Sequence, residues 1–506
     1  MINRDGQNTS LWQNTSLPFM PKNSVSHDTV FDVAVAGGGI TGILTALMLQ
    51  KSGKNCIVLE AATLCFGTTG GTTAHLNTLL DVSYEEIAKA FGKENAKLVH
   101  RAASEAIDLT EQHVKEYEID CGFRRTDAFL FAQDEDQADE LQKILDNGVE
   151  AGLQASFYDG LPVDIPFTRV MKASRQACFH PTQYVSALAT EFEKLKGVIV
   201  QNCRVISAED VSPLEIQTTN GKFRAQQLVY ATHIPPGINL LHLRCVPYRS
   251  YAMAFKLADN HYPDGLIYDM YDPYHYYRSQ QINEANYFIA GGYDHKTGHE
   301  ENTESPFLEL KAHVLKYFKG AEPVYRWSSQ YFEPSDGLPY IGRLPGKPDN
   351  IFVACGYGGN GITYSHVAAS MLRDLLTGVE SPYETLFDPN RIKPVAGFKS
   401  FIEHNLDVVK QFVSGRISSE QIRELAELAP EEGRIVEYQD QKLAIYKDLH
   451  NRLHAIDPVC THLKCFVSWN ATEKTWDCPC HGARYDFEGK VITGPASKDL
   501  EKIDIS

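Results

Sequence analysis

The chain has 506 residues, enough for two to four domains, with an ordinary share of hydrophobic (43%) and charged (22%) side chains. Its formal net charge of −17 argues against nucleic acid as a partner, because phosphate binding needs a basic surface. Of eleven cysteines, Cys56, Cys65, Cys121, Cys178, Cys203, Cys245 and Cys355 are scattered without a spacing pattern, which fits reduced, buried thiols rather than a disulfide framework.

Residues 1–28 are polar and lack the basic segment and apolar run of a signal peptide, so they read as an arm that docks on the body. The longest apolar stretch, 33–49, is interrupted by Gly37, Gly38, Gly39, Thr41, Gly42 and Thr45. It reads as strand, turn and helix, not as a membrane span. The expectation is cytoplasmic chemistry with no membrane span.

The run 33–36 is a short apolar strand entering Gly37-Gly-Gly39-Ile-Thr-Gly42 and then a helical stretch. A second strand, 56–59, is closed by Glu60, 23 positions after the first glycine. This is a βαβ unit carrying G-x-G-x-x-G. Gly37 permits the tight turn, Gly39 lets backbone approach a pyrophosphate, and Gly42 lets helix and strand pack closely. The pyrophosphate meets the helix N-terminus, where free N–H groups and the macrodipole favour anions. Glu60 is placed to hydrogen-bond the adenosine ribose. The motif does not distinguish NAD from FAD. A Gly/Thr-rich loop at 66–75, with Thr68, Thr69 and Thr73, suits a long extended cofactor. Far downstream, an apolar strand at 351–354 enters a second glycine turn with Gly356, Gly359, Gly361 and Ile362, and then a helix. N–H donors at such a turn can meet the flavin pyrimidine carbonyl, which gathers charge on reduction.

These pieces, in this order over about 31–376, resemble the FAD-dependent D-amino-acid oxidase and glycine/sarcosine oxidase superfamily. The resemblance implies FAD and an α/β fold: a Rossmann-like FAD-binding domain with an inserted antiparallel-sheet substrate domain roofing the flavin. Within an oxidoreductase unit at 29–376, it assigns 29–81, 193–246 and 328–376 to nucleotide binding. Returning strands fall at 198–205 and 227–231, and Val205 joins the cofactor-binding candidates. The insertions are 82–192, with helical patterns at 85–113 and 135–148, and the strand-rich 247–327.

For catalysis, residues 274–278 alternate like a strand, putting Tyr274, Tyr276 and Arg278 on one face. In amine-oxidising relatives a tyrosine at the Tyr274 position faces substrate. His295 is a third candidate, with a satisfied hydrogen-bonding role as the alternative; for any single tyrosine the alternative is plain packing. Glycine-oxidase-like members clamp the substrate carboxylate with an arginine four residues after the tryptophan matching Trp327; a bidentate guanidinium suits that job. Here the position is Tyr331, which puts a simple α-amino acid held in that way in doubt. Arg278 and Arg326 are the possible substitutes.

Residues 377–430 read as a linker punctuated by Pro382, Pro389 and Pro394, with a helical stretch at 398–413. The last unit, 431–506, carries Cys460, His462 and Cys465, then Cys478, Cys480, His481 and Gly482: four sulfurs and two imidazoles within 22 residues. Structural zinc is one reading of two Cys/His knuckles, but zinc motifs commonly space two cysteines by two residues, whereas each half here is mixed. The pattern resembles a Rieske 2Fe–2S site, in which two histidines replace two cysteines on one iron. Tyr485-Asp-Phe487 and Gly494-Pro-Ala496 extend the likeness. The resemblance implies His462 and His481 on one iron, Cys460 and Cys478 on the other, and a Cys465–Cys480 disulfide tying the two cluster loops in a small all-β domain. The family often has serine after the His-Gly pair, bonding a bridging sulfide; here it is Ala483.

Together these imply an FAD-dependent dehydrogenase. It takes a hydride equivalent from a small amine or amino-acid-like substrate and passes electrons singly through the cluster to an external acceptor. The alternatives are the reverse flow from an outside donor, a non-catalytic electron-transfer or redox-sensing module, and an oxidase with a vestigial Rieske domain.

Overall fold

The computed structural model describes residues 4–391, 428–438 and 441–505. The helix expected at 398–413 lies outside them.

Valine- and isoleucine-rich segments with apolar side chains on both faces form the first sheet, as strands covered on both sides require. Its order is Tyr340–Arg343, Ile351–Cys355, Gly221–Tyr230, Val30–Ala36, Cys56–Leu59, Val198–Val200. Every neighbouring pair is parallel except the edge pair at Tyr340–Arg343. The helices Ile40–Lys51 and Gly361–Thr377 pack together over one face in the largest apolar core. Both begin at the carboxyl end of the parallel strands, where α/β sheets place ligands. The expected helix at 85–113 is two helices, Tyr84–Phe91 and Lys93–Glu116. They are separated at Gly92, whose φ of 92° ends the first.

A nine-stranded sheet stands against this domain. It runs from Glu322–Pro334 through Cys245–Lys256, Ala285–Lys296, His275–Ile282 and Leu266–Asp269 to Arg124–Ala132 and Arg169–Cys178. It is antiparallel save for the pair Leu266–Asp269 and Arg124–Ala132. The C-terminal residues form two small antiparallel sheets of three and four strands.

The polar N-terminal arm docks, as its composition suggested. Leu11 and Trp12 are fully buried, Trp12 Nε1 donates to Thr72 O at 2.5 Å, and Gln13 Nε2 donates to Cys65 O at 3.0 Å. Three and six residues upstream of Leu11, the same arm reaches the C-terminal domain: Asn8 Nδ2 donates to Thr472 O, and Asp5 pairs with Arg484 at 2.9 Å. Among the described residues no helix is long and apolar enough to cross a membrane.

Candidate functional site

The two glycine turns meet at one end of the parallel sheet. Gly37 has φ 111°, and a Cβ there would lie 2.4 Å from Ala231 O. A Cβ on Gly42 would lie 1.9 Å from Gly37 O, so only hydrogen fits at this strand–helix contact. Thr69 Oγ1 accepts from Ile40 N at 3.1 Å and sits 2.9 Å from where a Gly39 Cβ would be. Thr69 thus lies over the first turn of the helix, where a pyrophosphate would be held. The loop carrying it winds into one turn, Thr68–Gly71. Glu60 accepts from Gly38 N at 2.5 Å and Ala62 N at 2.8 Å; burial pushes its carboxyl above the usual range. Val205 is buried at the start of Val205–Glu209, among the apolar side chains behind this edge. At the second turn, Gly356 has φ 71° and a Cβ on Gly361 would meet open space. Ile362 is buried in the first turn of the helix. Gly359 N donates to Asp81 Oδ2 at 2.5 Å, and Asp81 N donates to Asn360 Oδ1 at 2.8 Å.

The nine-stranded sheet closes the opposite side. On it Tyr331 and Tyr274 both donate to Asp294 Oδ2, at 3.0 and 3.4 Å, and Tyr276 bonds Ser250 Oγ at 2.9 Å. Tyr274 keeps 37% of its surface exposed and so opens to the cleft. Burial raises the Asp294 carboxyl to about 6, with the Asp81 charge adding to it. Burial likewise raises Asp81 to about 6 and Glu333 to about 7; Asp81 and Asp294 push Glu333 further up, and Lys296 pulls it down. Asp81 opens to solvent along the cleft.

Arg278 and His295 stand elsewhere. Arg278 is fully buried, its terminal nitrogens donating to Ala74 O, Phe179 O and Gln280 Oε1, with Trp12 stacked 5.2 Å away. Arg326 pairs with Glu304. His295 is held by Tyr251 OH and Lys296 O, both at 2.9 Å. The reason His295 misses the cleft is a bulge. Arg249 pairs with His295 and Tyr251 with Gly292, so Tyr293 and Asp294 both face Ser250. Tyr293 takes φ 58° and Gly292 φ 144°. The extra residue flips the alternation and delivers Asp294 to the face that His295 would otherwise occupy.

At the C-terminal domain, Cys465 and Cys480 form a disulfide. The sulfurs of Cys465, Cys478 and Cys480 lie within 4.8 Å of one another, but two are spent on that bond, leaving Cys478 beside the free thiol of Cys460. The hydrogen bond from Cys478 holds the Cys460 thiol down at about 7, helped by Tyr485 OH, 3.2 Å from Cys460 Sγ. His462 Nε2 contacts Gly237 O at 3.1 Å, and its Nδ1 is buried without a partner, the atom left for a metal. The His481 ring packs edge-on against His462, centroids 5.1 Å apart. His242, from the turn Leu240–Leu243 of the flavin-side domain, packs on His462 at 4.6 Å and on His481 at 6.0 Å. Two thiols, two imidazoles and a buried orphan nitrogen fit a Rieske cluster, just as the glycine cradle fits a dinucleotide.

The strand Glu322–Pro334 is the wall between these two regions. Trp327, Ser329, Tyr331 and Glu333 alternate toward the cofactor side, where Trp327 Nε1 donates to Gly71 O at 2.7 Å. Ser328 and Gln330 face the C-terminal domain. Ser328 Oγ donates to Glu473 Oε1 at 2.6 Å and Gln330 Nε2 to Gly482 O at 2.9 Å. Thr68 Oγ1 donates to Gln330 O at 2.9 Å, so one residue touches both the cofactor loop and the residue after His481. Beside it, Asp477 holds Arg249 at 3.2 Å and Arg484 at 3.1 Å, all three fully or nearly fully buried.

Comparison with known proteins agrees with both halves. The family model "FAD dependent oxidoreductase" matches residues 32–375 and "Rieske [2Fe-2S] domain" matches 420–504. A Bacillus subtilis protein, "Putative Rieske 2Fe-2S iron-sulfur protein YhfW", is 32% identical over 97% of this chain and 96% of its own length. Gamma-glutamylputrescine oxidoreductase of Escherichia coli is 23% identical over 71% of this chain and 87% of its own. The crystal structure of glycine oxidase from Geobacillus kaustophilus superposes with a TM-score of 0.62 at 18% identity, over 72% of this chain and all of that one.

Proposed function

We propose, because the chain belongs to the family of FAD-dependent oxidoreductases and carries a Rieske 2Fe–2S domain, that it is a dehydrogenase oxidising a small amine or amino-acid-like substrate and delivering electrons singly to an external acceptor. When bound, FAD supplies a two-electron acceptor and the 2Fe–2S cluster a one-electron carrier. Gly37, Gly39 and Gly42 would hold the pyrophosphate, Glu60 the ribose, Thr68, Thr69 and Thr73 the extended chain, and the turn at 356–362 the flavin carbonyl. Cys460, His462, Cys478 and His481 would hold the cluster. Oxidising a C–N bond removes a hydride from carbon and a proton from nitrogen and leaves a C=N bond. Tyr274, open to the cleft, would position that substrate. The relative named gamma-glutamylputrescine oxidoreductase supports an amine.

The observation that carries the reading is Gln330, hydrogen-bonded on one side to Thr68 and on the other to Gly482. The two redox centres would then lie on opposite faces of a single strand. The test is an anaerobic screen of amines, N-methyl amino acids and hydroxy acids at the flavin absorption band, followed by electron paramagnetic resonance. A substrate is expected to bleach the flavin, after which the reduced-cluster signal grows. Flavin that bleaches with added reductant but with no member of the screen would mark a redox-sensing module and end this reading.

A further inference from the structure

The cleft facing the second glycine turn is acidic, with Asp81, Asp294 and Glu333 near one another. Asp294 accepts the hydroxyls of Tyr331 and Tyr274 on Oδ2, while Oδ1 is shut from solvent with no hydrogen-bond partner. Asp81, from the loop after His75–Leu76, meets the turn itself at Gly359 N. Among the described residues neither Asp81 nor Asp294 is ion-paired. Glu333 follows on the same face of the wall strand as Tyr331, with Lys296 near it. The arginines that could reverse this charge are committed elsewhere. Arg278 is bonded to Ala74 O and Phe179 O, Arg326 to Glu304, and Arg249 to Asp477.

A carboxylate-bearing substrate would enter this cleft against like charge, and Arg278, Arg326 and Arg249 are committed elsewhere. A protonated amine would instead meet carboxylate charge without an ion-pair partner, beside aromatic faces suited to a cation. We propose that the substrate is a cationic alkylamine with no carboxylate on the carbon that is oxidised, held by Asp294 and Asp81 between Tyr274 and Tyr331. This rests on the amine-dehydrogenase reading and narrows it. Asp294 and Asp81 are ionised at neutral pH, since both are raised only to about 6.

The test separates binding from turnover. The FAD-loaded protein is titrated with tetramethylammonium, which has no oxidisable N–H, and with acetate and benzoate, following the flavin absorption band. The cation should perturb the band and the carboxylates should do so only at far higher concentration. Asp294→Asn should weaken cation binding about tenfold or more, because the tetramethylammonium charge loses its Coulombic partner in a partly enclosed site. Asp81→Asn should act in the same direction with flavin content as the folding control. Tyr331→Arg should bring in carboxylate binding. Carboxylates binding the unaltered protein as tightly as the cation, or cation binding indifferent to both aspartate variants, would overturn the proposal. Because neither readout requires turnover, a protein that binds the cation yet oxidises nothing contradicts the dehydrogenase reading alone.

Discussion

Two aspartates on either side of one wall show how differently the same residue type is used. Asp477 lies on the Rieske side, enclosed with Arg249 and Arg484; burial alone would raise its carboxyl, but the two guanidinium charges hold it below the usual range. Asp294 lies on the cofactor side with tyrosine hydroxyls and no cation, and it rises to about 6. The first is a structural charge with its partners built in. The second is a charge kept unpaired at a cleft, which is what a binding group requires.

The largest effect should come from the cradle. Gly39→Val places a side chain against Thr69, where the pyrophosphate would approach. Flavin content should fall to nothing while the Rieske absorption and resonance spectra persist, since that side of the wall is untouched. Next, Asp477→Ala takes the ion pair from buried Arg249, leaves buried Arg484 with Asp5 alone, and should cost about 3–5 kcal/mol in denaturant unfolding. Asp294→Asn should not destabilise the fold. An acid whose folded value is raised from 3.8 to about 6 is penalised once ionised, so the folded state loses stability as pH climbs through that window. The amide removes the penalty, and the loss of stability between pH 4 and 6 should shrink. If both variants lose stability equally, the contrast between the two aspartates is wrong. The smallest effect is at Ala483, buried beside the cluster loops. Ala483→Ser supplies a hydroxyl that favours the more negative reduced cluster and should raise its potential. A charged hydrogen bond of ~1.5–3 kcal/mol caps the rise near ~65–130 mV for one electron. An unchanged or lower potential in redox titration would contradict the argument.

Motifs whose chemistry is local were readable from the chain alone. The first glycine turn needs its residue types at fixed spacing, and Gly37, Gly42 and Glu60 stand where a βαβ unit demands. The Cys465–Cys480 bond was implied by the resemblance to Rieske domains, and it is present. The substrate face was not readable, because it depends on register. A strand read by simple alternation points His295 at the cleft; the bulge at Gly292 and Tyr293 substitutes Asp294. The adjacent glycines Gly291 and Gly292 were the available signal, since glycine inside a strand often marks a bulge. Arg278 shares a strand with Tyr276 yet ends among the backbone carbonyls of Ala74 and Phe179, beside Trp12 of the N-terminal arm more than 260 residues away in sequence. Asp81 and Asp477 had no local signature at all: one meets its partners through a turn at Gly359, the other across a domain seam.

If the two halves work in series across the wall strand, His481→Ala should uncouple them. Loss of this imidazole should empty or cripple the cluster, verified by iron content, and leave the glycine cradle intact. In a single anaerobic turnover, substrate should still bleach the flavin as in the unaltered protein. Steady-state turnover with a one-electron acceptor should collapse, because the reduced flavin has lost its exit. Undiminished steady-state turnover in a variant shown to lack the cluster would contradict the series arrangement.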